Sequence, residues 1–122
     1  MLNGQTILVV EAEFLIALDI QRMLESLGAG QMLFARTVEE AHQLTPHWQS
    51  LGLAIVEVAP APPSSTMLVR GLLAEGIPVI LSTASSALRR GHPDFPGIPV
   101  VVKPVSDEDL AAAIATALAN DP

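Results

Sequence analysis

Four polar residues stand where apolar runs end: Glu11 after Ile7-Leu8-Val9-Val10, Glu57 after Leu53-Ala54-Ile55-Val56, Thr83 after Val79-Ile80-Leu81 and a serine, and Lys103 after Val100-Val101-Val102. Carboxylates hold hard divalent cations, an ammonium pairs with phosphate oxygens, and a hydroxyl donates one hydrogen bond, so the set could bind a metal ion and a phosphoryl group. The same residues read equally well as a salt-bridged Glu57–Lys103 pair that keeps a crevice electrically balanced. Either reading requires the residues to meet, which depends on the elements that carry them.

Residues 6–10 are mostly β-branched and uncharged, as a parallel strand buried on both faces requires. Over 14–27 the apolar residues Ile16, Ile20, Met23, Leu24 and Leu27 recur on one helical face, with Asp19, Arg22 and Glu25 elsewhere and Gly28 as the stop. A strand at 31–35 leads to Thr37 and Glu40, which have capping-box spacing and open a helix ending near Pro46. A third buried strand covers 53–58. The prolines of the 59–63 loop forbid a helix there, and a helix follows over 65–75, ended by Gly76. The fourth strand spans 78–82. Between Thr83 and Gly97 the glycines and prolines leave room for one short helix, around 86–90. The fifth strand spans 99–102. Ser106 then caps a closing helix whose first turn holds Asp107, Glu108 and Asp109, and whose buried stripe is Leu110, Ile114, Ala117 and Leu118.

This alternation predicts an α/β fold: a doubly wound five-stranded parallel sheet of flavodoxin-like order 2-1-3-4-5, with helices on both faces and right-handed crossovers. Ligand sites in such sheets form beyond the carboxyl ends of the strands, so Glu11, Glu57, Thr83 and Lys103 are expected to converge there. A single domain over 1–122 is expected, with Asp121-Pro122 readable as the start of a linker.

Composition narrows the function. Thirteen acids against six Lys and Arg give a net charge of −7, which disfavours nucleic acid as a partner because phosphate backbones need clustered bases. No cysteine is present, which removes disulfides and thiolate chemistry. The start Met1-Leu2-Asn3-Gly4 lacks a basic region and an apolar core, and the apolar runs are too short to cross a bilayer, so no membrane partner and a cytoplasmic location are expected.

Four ordered motifs resemble those of the response-regulator receiver family, from Ile7 to Leu118: Ile7-Leu8-Val9-Val10-Glu11 with the helix behind it, Leu53-Ala54-Ile55-Val56-Glu57, Pro78-Val79-Ile80-Leu81-Ser82-Thr83, and Val101-Val102-Lys103-Pro104. The resemblance implies that Glu11 matches the first of two Mg²⁺-holding acids, while Ala12 stands where the second acid is lost. Glu57 occupies the phosphoacceptor position, Thr83 that of the switch hydroxyl and Lys103 that of the phosphate-pairing lysine. Lys103-Pro104 is expected to be joined by a cis bond. Val100 stands where the family's aromatic switch residue is usual.

Glutamate extends the carboxylate by one C–C bond, about 1.5 Å, which misplaces a nucleophile and moves it toward Lys103. With Ala12 in place of an acid, Glu11 and Glu57 leave a weak or absent Mg²⁺ site, so no cofactor is expected beyond residual Mg²⁺. The expected function is that of a pseudo-receiver in two-component phosphorelay signalling. It has no enzymatic activity and binds a protein partner without phosphorylation: a histidine kinase, an output domain or a second copy in a homodimer. Glu57 then either mimics a phosphoryl group or is inert. The alternatives are a phosphoacceptor with an unusual site and a flavodoxin-like small-molecule-binding domain. The segment Glu11-Ala12-Glu13-Phe14 lacks the glycine-rich loop that nucleotide or flavin binding uses.

Other residues read blandly. His42, His47 and His92 have no metal spacing and are expected in solvated loops or helices. The serines lack a nucleophile elbow. Pro60, Pro62 and Pro63 suit a stiff loop better than a polyproline ligand. Trp48 is expected to pack beneath the approach to the third strand. Arg89, Arg90, His92 and Phe95 would line the surface between the fourth and fifth strands.

Overall fold

The computed structural model describes residues 1–59 and 64–119. Five parallel strands, β1 (Thr6–Val10), β2 (Met32–Ala35), β3 (Leu51–Glu57), β4 (Val79–Thr83) and β5 (Val100–Val102), lie in the order β2-β1-β3-β4-β5. Four helices, α1 (Phe14–Ser26), α2 (Val38–Gln43), α3 (Ser64–Ala74) and α4 (Asp107–Ala119), cover both faces. Successive side chains of a strand point to opposite faces. Ile7, Val9, Ile55 and Ile80 therefore pack with Ile20 and Leu24 of α1 and Leu110 and Ile114 of α4. Leu8, Val10, Ala54, Val56 and Leu81 pack on the other face with Ala41, Leu68 and Leu72. No described helix is long and apolar enough to cross a membrane.

The helix boundaries follow local chemistry. Gly28 sits at φ +92°, where only glycine escapes a steric penalty, and ends α1. Thr37 Oγ1 accepts from the Glu40 N–H at 3.1 Å. The Glu40 carboxylate reaches back to the Arg36 N–H at 2.9 Å, one residue ahead of the usual capping-box partner. Ser106 Oγ accepts from the Asp109 N–H at 3.1 Å and starts α4.

Several expectations are corrected. The helix expected to run to Pro46 stops at Gln43, and a 3₁₀ segment, Thr45–Ser50, follows. That segment places Trp48 in the core, where its indole N–H donates to the Ala41 carbonyl at 3.2 Å. β3 begins at Leu51 because Leu51 pairs with Thr6, ahead of a register shift between Thr6 and Ile7. The helix expected around 86–90 is a single 3₁₀ turn, Ser86–Leu88. Without a helix over that face, Phe95 folds inward, bridges back to His92, and packs beneath the Arg70 guanidinium, 5.5 Å from the ring centroid. Phe95 and His92 are therefore buried, and only Arg89 and Arg90 of that group stay exposed. Residues 60–63 of the proline loop and the linker expected at Asp121-Pro122 lie outside the described residues.

The hairpin-like approach of 4 and 30 admits no side chain. The Gly30 N–H donates to the Gln5 carbonyl at 2.9 Å, and a Cβ on Gly30 would lie 2.2 Å from the Gly4 carbonyl oxygen. Gly30→Ala must displace backbone and should lower stability by about 1–3 kcal/mol. Urea unfolding would read this as a lower midpoint with an unchanged m value; an unshifted midpoint would show that the 4–30 contact is soft.

Candidate functional site

Strand order brings all four expected residues to the carboxyl edge of the sheet, and three of them bond one another. β1 and β3 are neighbours, so Glu11 just past β1 and Glu57 at the end of β3 sit side by side. Lys103 follows β5, and its long side chain spans the width of β4 to reach them. Its ammonium donates to Glu11 Oε2 at 3.0 Å, with Oε1 nearer still at 2.7 Å but off the hydrogen-bonding direction. It also donates to Glu57 Oε2. The other Glu57 oxygen, Oε1, accepts from the Ala12 N–H at 3.2 Å. Glu11 Oε2 in turn accepts from the Glu13 N–H at 3.0 Å.

Burial grades the triad. The side chains of Glu11 and Lys103 are 1% and 8% exposed and that of Glu57 is 32% exposed, so Glu57 is the member facing solvent. Burial works against the Glu57 carboxylate, but Lys103 and the Ala12 N–H outweigh it and hold its pKa below the ordinary value. Burial likewise opposes the Lys103 ammonium, and the two carboxylates overcome it and raise its pKa.

Thr83 does not join them. It is buried, but its Oγ1 accepts from the Ser85 N–H at 3.1 Å, within the turn that leaves β4, and bonds neither Glu57 nor Lys103. Thr83 thus stands at the same edge with its hydroxyl used locally, while the other three are bonded to one another. Ser82 stands beside Glu57 in the β3–β4 register, and its buried hydroxyl has no hydrogen-bond partner among the described residues. Ser82 carries no nucleophile signature in the sequence; pairing β3 with β4 residue by residue is the signal that finds it. The Ala12 N–H, a backbone donor, leaves no mark in residue type. The Lys103–Pro104 bond is cis.

The resemblance implies Mg²⁺ at this pocket, and the donor set does not fit it. Mg²⁺ demands near-octahedral oxygen ligands. Ala12 supplies no side-chain oxygen, and both carboxylates are committed to the Lys103 ammonium. Among the described residues no group of three His, Cys, Asp or Glu side chains could hold a metal ion.

No family model matches the chain, and no curated protein sequence matches it. Solved structures do. The response-regulator receiver domain of PhyR from Erythrobacter litoralis matches with a TM-score of 0.78 at 25% identity, over 98% of this chain and 93% of that one. SdrG from Sphingomonas melonis matches with a TM-score of 0.77 at 29% identity, over 97% of this chain and 99% of that one. The anti-anti-sigma factor PhyR from Bartonella quintana matches with a TM-score of 0.74 at 34% identity, over 94% of this chain. The chain spans about half the length of that last protein, 48%.

Removing the ammonium leaves two carboxylates together, one of them buried, so Lys103→Met should cost about 3 kcal/mol in chemical denaturation. Glu11→Gln added to it should restore part of that loss, and additive costs would show that the two side chains are uncoupled. The pH dependence follows from the shifted groups. The folded-state pKa of Glu57 lies below its unfolded value, so its contribution is complete above about pH 4.3 and drains away as pH falls through the folded value. Lys103, raised, contributes fully below about pH 10.4 and loses its contribution as pH rises through its folded value. Glu57→Gln should flatten the acid limb of stability against pH while leaving neutral pH the least affected in slope; an unaltered acid limb would assign that limb to other carboxylates.

Proposed function

The chain is a response-regulator receiver domain of two-component signalling, and on that premise we propose that it works as a pseudo-receiver, engaging a protein partner without being phosphorylated. One observation carries this reading: the lysine that would pair with an incoming phosphoryl group is already neutralised by Glu57 and Glu11.

Phosphoryl transfer to a carboxylate needs a free oxygen in line with the leaving group and positive charge to offset the transition state. Each Glu57 oxygen already accepts one bond, from Lys103 or from the Ala12 N–H, and these bonds fix the direction in which the carboxylate points. The extra methylene of glutamate carries the carboxylate to the ammonium, and Ala12 removes the acid that would help recruit a metal ion. Each feature opposes transfer, and together they leave a pocket that is electrically settled at rest.

The contact with Lys103 reproduces one arm of what a phosphoryl group would make. The other arm, to the switch hydroxyl, is missing because Thr83 bonds Ser85. The reading therefore favours a domain held in one state over a full mimic of the phosphorylated form. Partners of the matching chemistry are a histidine kinase, an output domain or a second copy.

Intact-mass measurement after incubation with a small acyl phosphate and Mg²⁺ tests this. Wild type should remain unmodified, whereas Ala12→Asp/Glu57→Asp should gain a phosphoryl group. A phosphorylated wild type would overturn the proposal in favour of an unusual phosphoacceptor.

A further inference from the structure

A groove of about 820 Å³ runs along the outer edge of β5. One wall carries Arg89 and Arg90, and the other is the α4 face formed by Asp109, Ala112, Ala113 and Thr116. Its floor is the backbone of β5, an edge strand paired on one side only. The Leu81 N–H donates to the Pro99 carbonyl and the Lys103 N–H donates to the Thr83 carbonyl. Alternation along a parallel strand then directs Val101 toward β4 and turns the N–H and C=O groups of Val100 and Val102 outward into the groove. The groove exists because the connection from β4 to β5 is a single 3₁₀ turn and a loop where a crossover helix is usual.

We propose that this groove binds an extended acidic segment of a partner protein by strand addition to β5. An added strand would send alternate side chains to the two walls. Those on one side meet Arg89 and Arg90, which are two of the six basic residues in a chain of net charge −7. Those on the other side meet the small surfaces of Ala112 and Ala113, where Asp109 repels a second acid. The occupant is thus a strand alternating acidic with small or β-branched residues, its backbone satisfying Val100 and Val102. A second copy fits less well: antiparallel pairing through β5 puts the two-fold axis normal to the sheet, setting arginine wall against arginine wall.

The inference names a docking surface for the pseudo-receiver reading and rests on it, yet its test is separate. A wild type that takes up phosphate would undo that reading, whereas the peptide experiment below judges the groove alone.

The probes are two capped peptides, one alternating valine with glutamate and one alternating valine with lysine, titrated into the isotopically labelled full chain and followed through its backbone amide signals. The valine–glutamate peptide should give saturable shifts centred on Val100 and Val102 and slow their hydrogen exchange. Arg89→Glu/Arg90→Glu should weaken that peptide by about tenfold and favour the lysine peptide instead. Equal binding of the two peptides to wild type, shifts absent or centred elsewhere, or protection of Val100 and Val102 that grows with protein concentration without peptide would each overturn the proposal. The comparison of two peptides on wild type holds even if the double variant fails to fold.

Discussion

The ammonium of Lys103 is the point on which the crevice depends. It ties the residue following edge strand β5 to the ends of β1 and β3 at the middle of the sheet, across 92 and 46 residues of sequence. A largely buried ion triad adds little net stability over well-packed apolar groups, because desolvation consumes most of the Coulombic gain. What it supplies is position. Two carboxylates that would repel each other are held side by side, and the loop after β1 is drawn in through the Ala12 N–H.

How the chain declares this in its sequence differs from element to element. Runs such as Ile7-Leu8-Val9-Val10 and Leu53-Ala54-Ile55-Val56 are legible because a strand buried on both faces tolerates only apolar residues, and the order of the sheet then follows from alternation with helices. Leu51 lies outside the continuous apolar run that starts at 53, and its place in β3 comes from its pairing with Thr6. Phe95 and His92 were misplaced because burial there depends on what the missing helix leaves uncovered, and that is a tertiary fact. Thr83 shows the limit at the site itself. Its position at the end of β4 was readable, but whether its hydroxyl serves the crevice or the turn is settled by the Ser85 N–H, 3.1 Å away.

The connection between β4 and β5 links both ends of the molecule's chemistry. A crossover of ordinary length would place a helix on the sheet face beside β5. Here the segment is held by Leu88 and Phe95, whose side chains lock into the core, and by the Arg70 contact on the Phe95 ring. That packing fixes the path of the segment from β4 to β5, and β5 remains paired on one side only.

The two departures from the receiver pattern are better understood as one change than as two losses. Ionised, Glu11, Glu57 and Lys103 sum to a single negative charge, and the partial exposure of Glu57 lets water screen it. An acid at 12 would add a second negative charge beside a buried carboxylate, and a divalent cation would be the natural remedy. Alanine at 12 removes that need while keeping the backbone N–H that Glu57 accepts from. An aspartate at 57, shorter by one methylene, would reach less far toward the ammonium and leave Lys103 more dependent on Glu11. Ala12 and Glu57 thus support each other: one limits the excess to a single negative charge, and the other brings the second carboxylate to the lysine. On those terms Ala12 and Glu57 are coupled, and a change at either position alone would alter the contacts that Lys103 makes.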